Sequence, residues 1–396
     1  PLSFGCASGA TDGPAAPDAQ PKDKGSADKA AQDLQAADLG AKDSQPGDTG
    51  NADQCVPGAS TWSFDTVDAK TKAGGHISIA VDPKGTVHMA YYDLTNTSLR
   101  YAWRHKGSSS WSTHLVDNTA DVGKYNAIVV DPKGAAYVSY YDATHKAMKV
   151  SWFTAGAPYT WTVNTIDISG GVDTGRYTSI ARDSAGGLHV AYRRTSTGGA
   201  GTHEVKYGMR GSSGGSGTFE VADGKNAGTR ALDTAIAVDT AGVVHLVHES
   251  GSASAKTSTL RYLQRSKTGA WTSAVVDKSS STNTGHHCAM ALDAKGGLHV
   301  AYHDAGNADL RHAYKAKGGA WTLKSVQSAG SVGQHPAMVL RSTGVLDIVY
   351  NAAGKLSHAS RSAAGVWSIK AVSTAASSEQ TGLALGSSGS LNVGYQ

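Results

Sequence analysis

Apolar and polar positions alternate in short runs along most of the chain, and one run keeps returning. It reads IAVDPKGTVHMAYYD from Ile79, IVVDPKGAAYVSYYD from Ile128, IARDSAGGLHVAYRR from Ile180, IAVDTAGVVHLVHES from Ile236 and MALDAKGGLHVAYHD from Met290. Two worn copies follow, MVLRSTGVLDIVYN from Met338 and LALGSSGSLNVGYQ from Leu383. Period-two alternation on both sides of an Asp-x-x-Gly turn predicts a β-hairpin. The turn Asp stands at 82, 131, 183, 239 and 293, then becomes Arg341 and Gly386. A repeat of about 50 residues made of strands predicts a propeller or a solenoid.

Each unit carries two further strand signals. A third strand reads Leu99-Arg100-Tyr101-Ala102-Trp103, Leu260-Arg261-Tyr262 or Leu310-Arg311-His312-Ala313-Tyr314. A fourth opens on an aromatic residue: Trp111, Trp161, Phe219, Trp271, Trp321 and Trp367. Four strands per repeat is the blade of a β-propeller, so the fold class is all-β with seven blades. The last unit stops after two strands at Gln396, and the missing aromatic strand is Trp62–Asp68 near the other end. That strand is expected to close the ring by completing the last blade, which removes both sheet edges. Residues near Gln54–Ser60 then supply the third strand of that blade, or the blade has three strands. Because the aromatic recurs even in worn copies, it reads as blade-to-blade packing in preference to a binding ladder.

Composition changes the picture only at the N-terminal side. The whole chain is rich in Gly and poor in charge, with Tyr and Trp well above Phe, as in exported all-β proteins. Residues 7–54 hold nine Asp, four Lys and no aromatic, with Asp every five residues from Asp18 to Asp53. That spacing builds no apolar face on a helix or a strand, so the segment reads as a disordered Asp-rich stalk. The stalk carries a net −5 and the body, 55–396, a net +9. A basic body on an acidic tether suggests a polyanionic partner such as an acidic glycan or surface polymer. No aromatic-basic module of the RNA-recognition kind is visible, so nucleic acid is not expected. Residues 1–6 read as the remnant of an export signal.

Several resemblances follow from these residues. Leu2-Ser3-Phe4-Gly5-Cys6 before a polar tether resembles the end of a bacterial lipoprotein signal, although Phe4 stands where a small residue is usual. It implies lipidation of Cys6, export, and an outer-membrane or cell-surface location. The repeats resemble those of secreted or lipid-anchored bacterial seven-bladed propellers, over residues 60–396. A looser similarity is to seven-bladed polysaccharide lyases of the ulvan type, which show a His before the first strand and another after the second. Gly285-His286-His287-Cys288 and His299-Val300-Ala301-Tyr302-His303 match that arrangement in one blade.

In a propeller the innermost strand starts, and the second ends, on one face. Six residues before the turn Asp stand His76, Tyr125, Tyr177, Asp233, His287, His335 and Gln380. At the end of the second strand stand Tyr92, Tyr141, Arg193, Glu249, His303, Asn351 and Gln396. These positions vary between blades while the surrounding core does not. Variation with retained polarity suggests a ligand-binding rim; free variation of exposed loops is the alternative. The histidines repeated inside the second strand, His88, His189, His245 and His299, read as structural hydrogen-bonding groups. No His-Glu-x-x-His, Cys-x-x-Cys or calcium loop is present, so no metal or cofactor is expected.

Two function classes remain. One is a binding module that holds an anionic glycan on the rim, which the absence of a sharp catalytic motif favours. The other is a lyase acting on a uronate-containing polysaccharide. Such β-elimination needs a base, an acid and a cation for the carboxylate. His287 or His303 would be the base, Tyr177 or Tyr141 the acid, and Arg193 or Arg176 the neutralising cation. If Cys6 is lipidated, Cys55 and Cys288 remain to pair or to stay free.

Overall fold

A computed structural model describes residues 2–7, 62–69, 73–154, 160–168, 172–195, 203–211, 217–224, 229–252, 257–277, 283–376 and 380–395. The chain is an all-β propeller. Blade I is built from Ala73–Val81, Val87–Asp93, Ser98–Arg104 and Ser112–Asp117, paired in that order from the innermost strand outward. Five more four-stranded antiparallel blades of consecutive strands follow, II to VI, spanning 122–167, 174–223, 229–277, 284–327 and 332–376. Blades folded from consecutive strands thus number six, one short of the seven repeats. The remaining strands form a composite sheet in the order Trp62–Asp68, Leu2–Ala7, Leu391–Tyr395, Thr381–Leu385. Its third strand is Leu2–Ala7, read above as a signal remnant, and not the stretch near Gln54–Ser60, which lies outside the described residues. The backbone of Phe4 sits opposite Gly394 on one side and Asp65 on the other. Among the described residues no helix is long and apolar enough to cross a membrane.

The repeated phrase has a direct structural cause. In blade I, Asp82 accepts the Thr86 amide at 2.8 Å through its carboxylate, and its carbonyl accepts the Gly85 amide at 2.9 Å. Gly85 takes a φ of +84°, a left-handed conformation that only glycine adopts without strain. The same carboxylate lies 3.5 Å from His88 Nε2, and His88 Nδ1 lies 2.5 Å from the Tyr101 hydroxyl on the third strand. His189 with Tyr207 and His245 with Tyr262 repeat the pairing, each at 2.7 Å. Blade V replaces the Tyr by His312, 3.1 Å from His299. These histidines therefore tie a turn to a strand, as a repeated structural group should. Blade VI exchanges the charges: Arg341 takes the Asp place and bonds Asp347, in the His place, at 2.6 Å.

Neighbouring blades are clamped by a second repeated device. The Asp ending one outer strand accepts a buried hydroxyl from the next blade's second strand. Tyr91 reaches Asp68 at 2.8 Å, Tyr140 Asp117 at 2.7 Å, Tyr192 Asp167 at 2.7 Å and Tyr302 Asp277 at 2.6 Å. In blade IV His248 replaces the Tyr, 3.0 Å from Asp223. A third-strand cation completes the clamp, as Lys149 does on Asp117 at 2.9 Å and Arg311 on Asp277 at 2.7 Å. Burial alone would raise the Asp117 carboxyl, but hydrogen bonds from Thr119, Tyr140 and Lys149 hold it below its ordinary value. The outer-strand tryptophans pack on the preceding blade's third strand, with ring centres 5.0 Å apart for Tyr101–Trp161 and 5.4 Å for Tyr207–Trp271. This is the packing role expected of the aromatic series. Phe219 departs from it, because it pairs with Gly208, two residues beyond the register that Trp271 takes opposite Arg265.

Candidate functional site at the channel mouth

The seven positions that precede the turn by six residues come together around one cavity of about 160 Å³ on the propeller axis. Its walls are His76, Tyr125, Tyr177, Asp233, His287, His335 and Gln380, with the residue that follows each in blades II to VI and the composite sheet. The local geometry is the same from blade to blade. His76, Tyr125, Tyr177, Asp233, His287 and His335 all have φ between 41° and 54°. The pairing to the second strand slips at this point, from Lys124 to Ala127 in blade II and from His286 to Ala289 in blade V. The bulge frees these residues from the ladder and turns them into the channel. Six non-glycine residues held left-handed at equivalent places are a strained feature of the kind that gathers at functional sites.

Two devices hold the bulge. The first is a glycine two residues earlier. At Gly123 and Gly333, φ is +109° and +89°, and an added Cβ would lie 2.9 Å from Leu99 Cα and 2.5 Å from Leu310 Cα. Only glycine lets the innermost strand lie this close to the preceding blade. The second is a latch from the residue after the bulge to the carbonyl of the preceding rim residue. Thr178 donates to Tyr125 O at 2.9 Å, Thr234 to Tyr177 O at 2.7 Å, Cys288 to Asp233 O at 3.1 Å and Thr381 to His335 O at 2.6 Å. Asn126 makes the same latch to His76 O. Cys288 is thus a free thiol with a structural task, and burial pushes its pKa well above the ordinary value. Cys55, its possible partner, lies outside the described residues, as do the side chain of Cys6 and the 7–54 stalk apart from Ala7.

The rim side chains touch one another in two runs, Gln380–His76–Tyr125–Tyr177 and Asp233–His287–His335. Gln380 Nε2 is 2.9 Å from His76 Nδ1, and the Tyr125 ring sits 4.5 Å from both the His76 and Tyr177 rings. Asp233 accepts the His287 amide at 3.1 Å and lies 3.6 Å from its Nδ1. The His287 and His335 rings are 3.6 Å apart. Burial, then the Lys124 charge, lowers His76 to about 4. Burial, then neighbouring imidazoles, lowers His303 to about 4 and holds His335 well below its usual value. These rings are neutral at neutral pH, so each has one donor and one acceptor nitrogen. Burial, then Tyr125 and Asp233, raises Tyr177, which keeps its proton.

The second-strand positions do not line this cavity. Tyr92, Tyr141, Arg193, Glu249, His303 and Asn351 are all less than 10% exposed and stand behind the rim. Glu249 pairs with Leu232, the residue before Asp233, which matches His303 opposite His286. Tyr92 donates to Asp121 at 2.8 Å and Tyr141 to Asp173 at 2.6 Å. Asp173 also holds Arg176 at 2.8 Å and Arg193 at 3.4 Å. Glu249, fully buried, pairs with His286 at 3.2 Å. Asn351 accepts the Gly354 amide at 2.8 Å. Of the elimination set, His287 and Tyr177 reach the cavity, while His303, Tyr141, Arg193 and Arg176 support or flank it. Two cations lean on these rings: Arg193 lies 5.4 Å from the Tyr177 ring centre and Arg176 5.2 Å from that of Tyr141. The glycine and latch residues around each rim position carry no reactive group, and the sequence reading missed them; their signal was a Gly two places before the rim residue in five repeats. Among the described residues no group of three or more His, Cys, Asp or Glu is placed to hold a metal ion.

No family model matches the chain, and no curated protein matches it in sequence. Its fold matches that of the polysaccharide lyase Uly1 with a TM-score of 0.53 at 11% identity, covering 81% of this chain and 89% of that one. It also matches the α-L-arabinofuranosidase Arb93A from Fusarium graminearum, TM-score 0.52 at 12% identity over 76% of this chain and 93% of that one. A protein of unknown function from Dyadobacter fermentans gives 0.52 at 8% identity over 81% and 94%. Likeness at such low identity is a likeness of fold, and that fold is the β-propeller.

Proposed function

We propose that the protein is a glycan-binding propeller that takes its ligand at the channel mouth. The observation that carries this reading is the ring of six left-handed, non-glycine rim residues, three His, two Tyr and one Asp, around one cavity. The strain is kept at each of these places for polar or aromatic side chains that can meet a ligand. Tyr125 and Tyr177 offer faces on which a sugar ring stacks, and the neutral imidazoles and Asp233 offer donors and acceptors for hydroxyls. Neighbours of the same fold include a polysaccharide lyase and an arabinofuranosidase, in keeping with a glycan partner. The preferred ligand is anionic. Arg176 and Arg193 stand behind the Tyr side of the mouth, both paired with Asp173, and the body as a whole carries a net +9 that draws in an anion. A glycan array read at rising salt tests this: acidic glycans bind and weaken with salt, whereas salt-insensitive binding of neutral sugars contradicts the charge assignment.

A second reading has its own observation, that His287 and Tyr177 line one cavity while Tyr177 keeps its proton. In β-elimination His287 takes the proton beside the uronate carboxylate, electrons form the ring double bond, and Tyr177 protonates the departing oxygen. Arg193, 5.4 Å from the Tyr177 ring centre and paired with Asp173, would have to turn from that carboxylate to neutralise the uronate. Release of an unsaturated, ultraviolet-absorbing product from a uronate polysaccharide supports this reading; binding with no such product leaves the protein a lectin.

The ring closes as seven blades on this account, with the composite sheet as the seventh. The exported, surface-tethered location rests on the Asp-rich stalk. Lipidation of Cys6 and a third strand at Leu2–Ala7 compete for one segment, because cleavage before Cys6 removes Leu2–Gly5. Mass spectrometry of the exported protein's N-terminus separates them.

A further inference from the structure

A second cavity, of about 350 Å³, lies between blades II and III, away from the channel. It exists because one aromatic pair is missing. At five other junctions a third-strand aromatic meets the outer-strand Trp of the next blade: Tyr101–Trp161, Tyr207–Trp271, Tyr262–Trp321, His312–Trp367 and His358–Trp62. Between II and III both partners are absent. Val150 takes the register of Tyr101: Val150 faces Ser139 as Tyr101 faces Ala90. On the other side the register of Trp271, opposite Arg265, falls to Gly217, because Thr218 pairs with Met209. Phe219, two residues on, only partly covers the gap and is 37% exposed.

The remaining walls are Ile166, Leu188, Val190, Gly208 and Met209, with Asn164, Thr165 and Arg210 as the polar residues. The Arg210 guanidinium lies 4.2 Å from the Trp152 ring centre, and so sits over an aromatic face at this junction. A cavity of about 150 Å³ lined by aliphatic and aromatic side chains is enough to take up benzene. This one has more than twice that volume and lies where the third-strand aromatic and the outer-strand Trp stand at those five junctions.

We propose that the junction of blades II and III is a binding site for a flat, bicyclic aromatic small molecule, which fills the place that Tyr and Trp fill at the other junctions. The ring lies against Val150, Ile166, Val190 and Phe219, with Asn164 and Thr165 in the same wall to meet polar substituents. This site shares no residue with the channel mouth and stands or falls independently of it.

Indole is the probe. In the whole protein, indole at millimolar concentration raises the melting temperature in a saturable way and shifts the methyl resonances of Val150, Ile166, Leu188 and Val190. Val150→Tyr, which supplies the residue of blades I, III and IV, weakens the indole effect at least tenfold; Val150→Phe does the same should the hydroxyl disturb folding. A non-saturating response in the unaltered protein, methyl shifts elsewhere, or an undiminished indole effect in both filled variants overturns the proposal.

Discussion

If the channel-mouth bulge is strained for the sake of its side chains, Tyr125 makes the cleanest perturbation. It sits at φ 54° between two ring contacts of 4.5 Å, to His76 and Tyr177. A left-handed conformation costs a residue with a Cβ about 1–2 kcal/mol, a cost glycine escapes. Each aromatic contact contributes about 0.5–1.5 kcal/mol. Tyr125→Ala therefore loses both contacts and keeps the strain, and is destabilised by about 1–3 kcal/mol. Tyr125→Gly loses the same contacts and releases the strain, so it lies about 1 kcal/mol above the Ala variant. That reverses the usual order, in which Ala in a strand is more stable than Gly by about 0.5–1 kcal/mol. Denaturant unfolding of the three proteins gives the order directly, and a melting curve should separate Gly from Ala by about 2 °C in a domain of this size. Both variants lose the ligand, since both lack the ring. An Ala variant as stable as the Gly variant would refute the idea that the rim is held under strain.

Three other outcomes follow from the same geometry. Asp117→Asn and Tyr140→Phe should each destabilise by about 1.5–3 kcal/mol, and the double variant by clearly less than the sum, because they share one clamp; strict additivity in a double-mutant cycle contradicts it. Removing residues 1–7 should lower the melting temperature while excising 8–54 leaves it nearly unchanged, and equal effects would deny Leu2–Ala7 its place in the composite sheet. Acid should unfold the protein early: His303 and His299 sit at about 4 when folded against 6.5 when free, so their contribution is whole above pH 6.5 and is lost as pH falls towards 4, at about 1.4 kcal/mol per pH unit for each. A flat stability profile between pH 6.5 and 4.5 contradicts the buried, neutral assignment.

The hairpin, the blade and the rim position were legible in the sequence because each is written as a period. The turn Asp fixes the register, so counting six residues back from it finds His76, Tyr125 and their equivalents even where the turn residue itself has become Arg341 or Gly386. The charge exchange in blade VI shows why the count survives: Arg341 and Asp347 keep the contact while reversing its ends. What failed to show was the bulge itself. A β-bulge alters which side chains face the channel without altering the alternation, so Tyr92, Tyr141 and His303 read as rim although they are buried behind it. Phe219 looked like a member of the Trp series because sequence spacing does not reveal a two-residue slip in pairing. Residues 1–6 read as a signal remnant because a Cys before a polar tether resembles one; the pairing of Leu2–Ala7 with Trp62–Asp68 and Leu391–Tyr395 was not legible, because so short a stretch carries no register of its own.

The account rests on the channel mouth as a glycan site, and isothermal titration of one array-selected acidic oligosaccharide into the unaltered protein, Tyr125→Ala, His287→Ala and the clamp variant Tyr140→Phe tests it most directly. The two rim variants should lose at least tenfold in affinity while Tyr140→Phe, which does not line the mouth, binds as the unaltered protein does. Undiminished binding by both rim variants would contradict it.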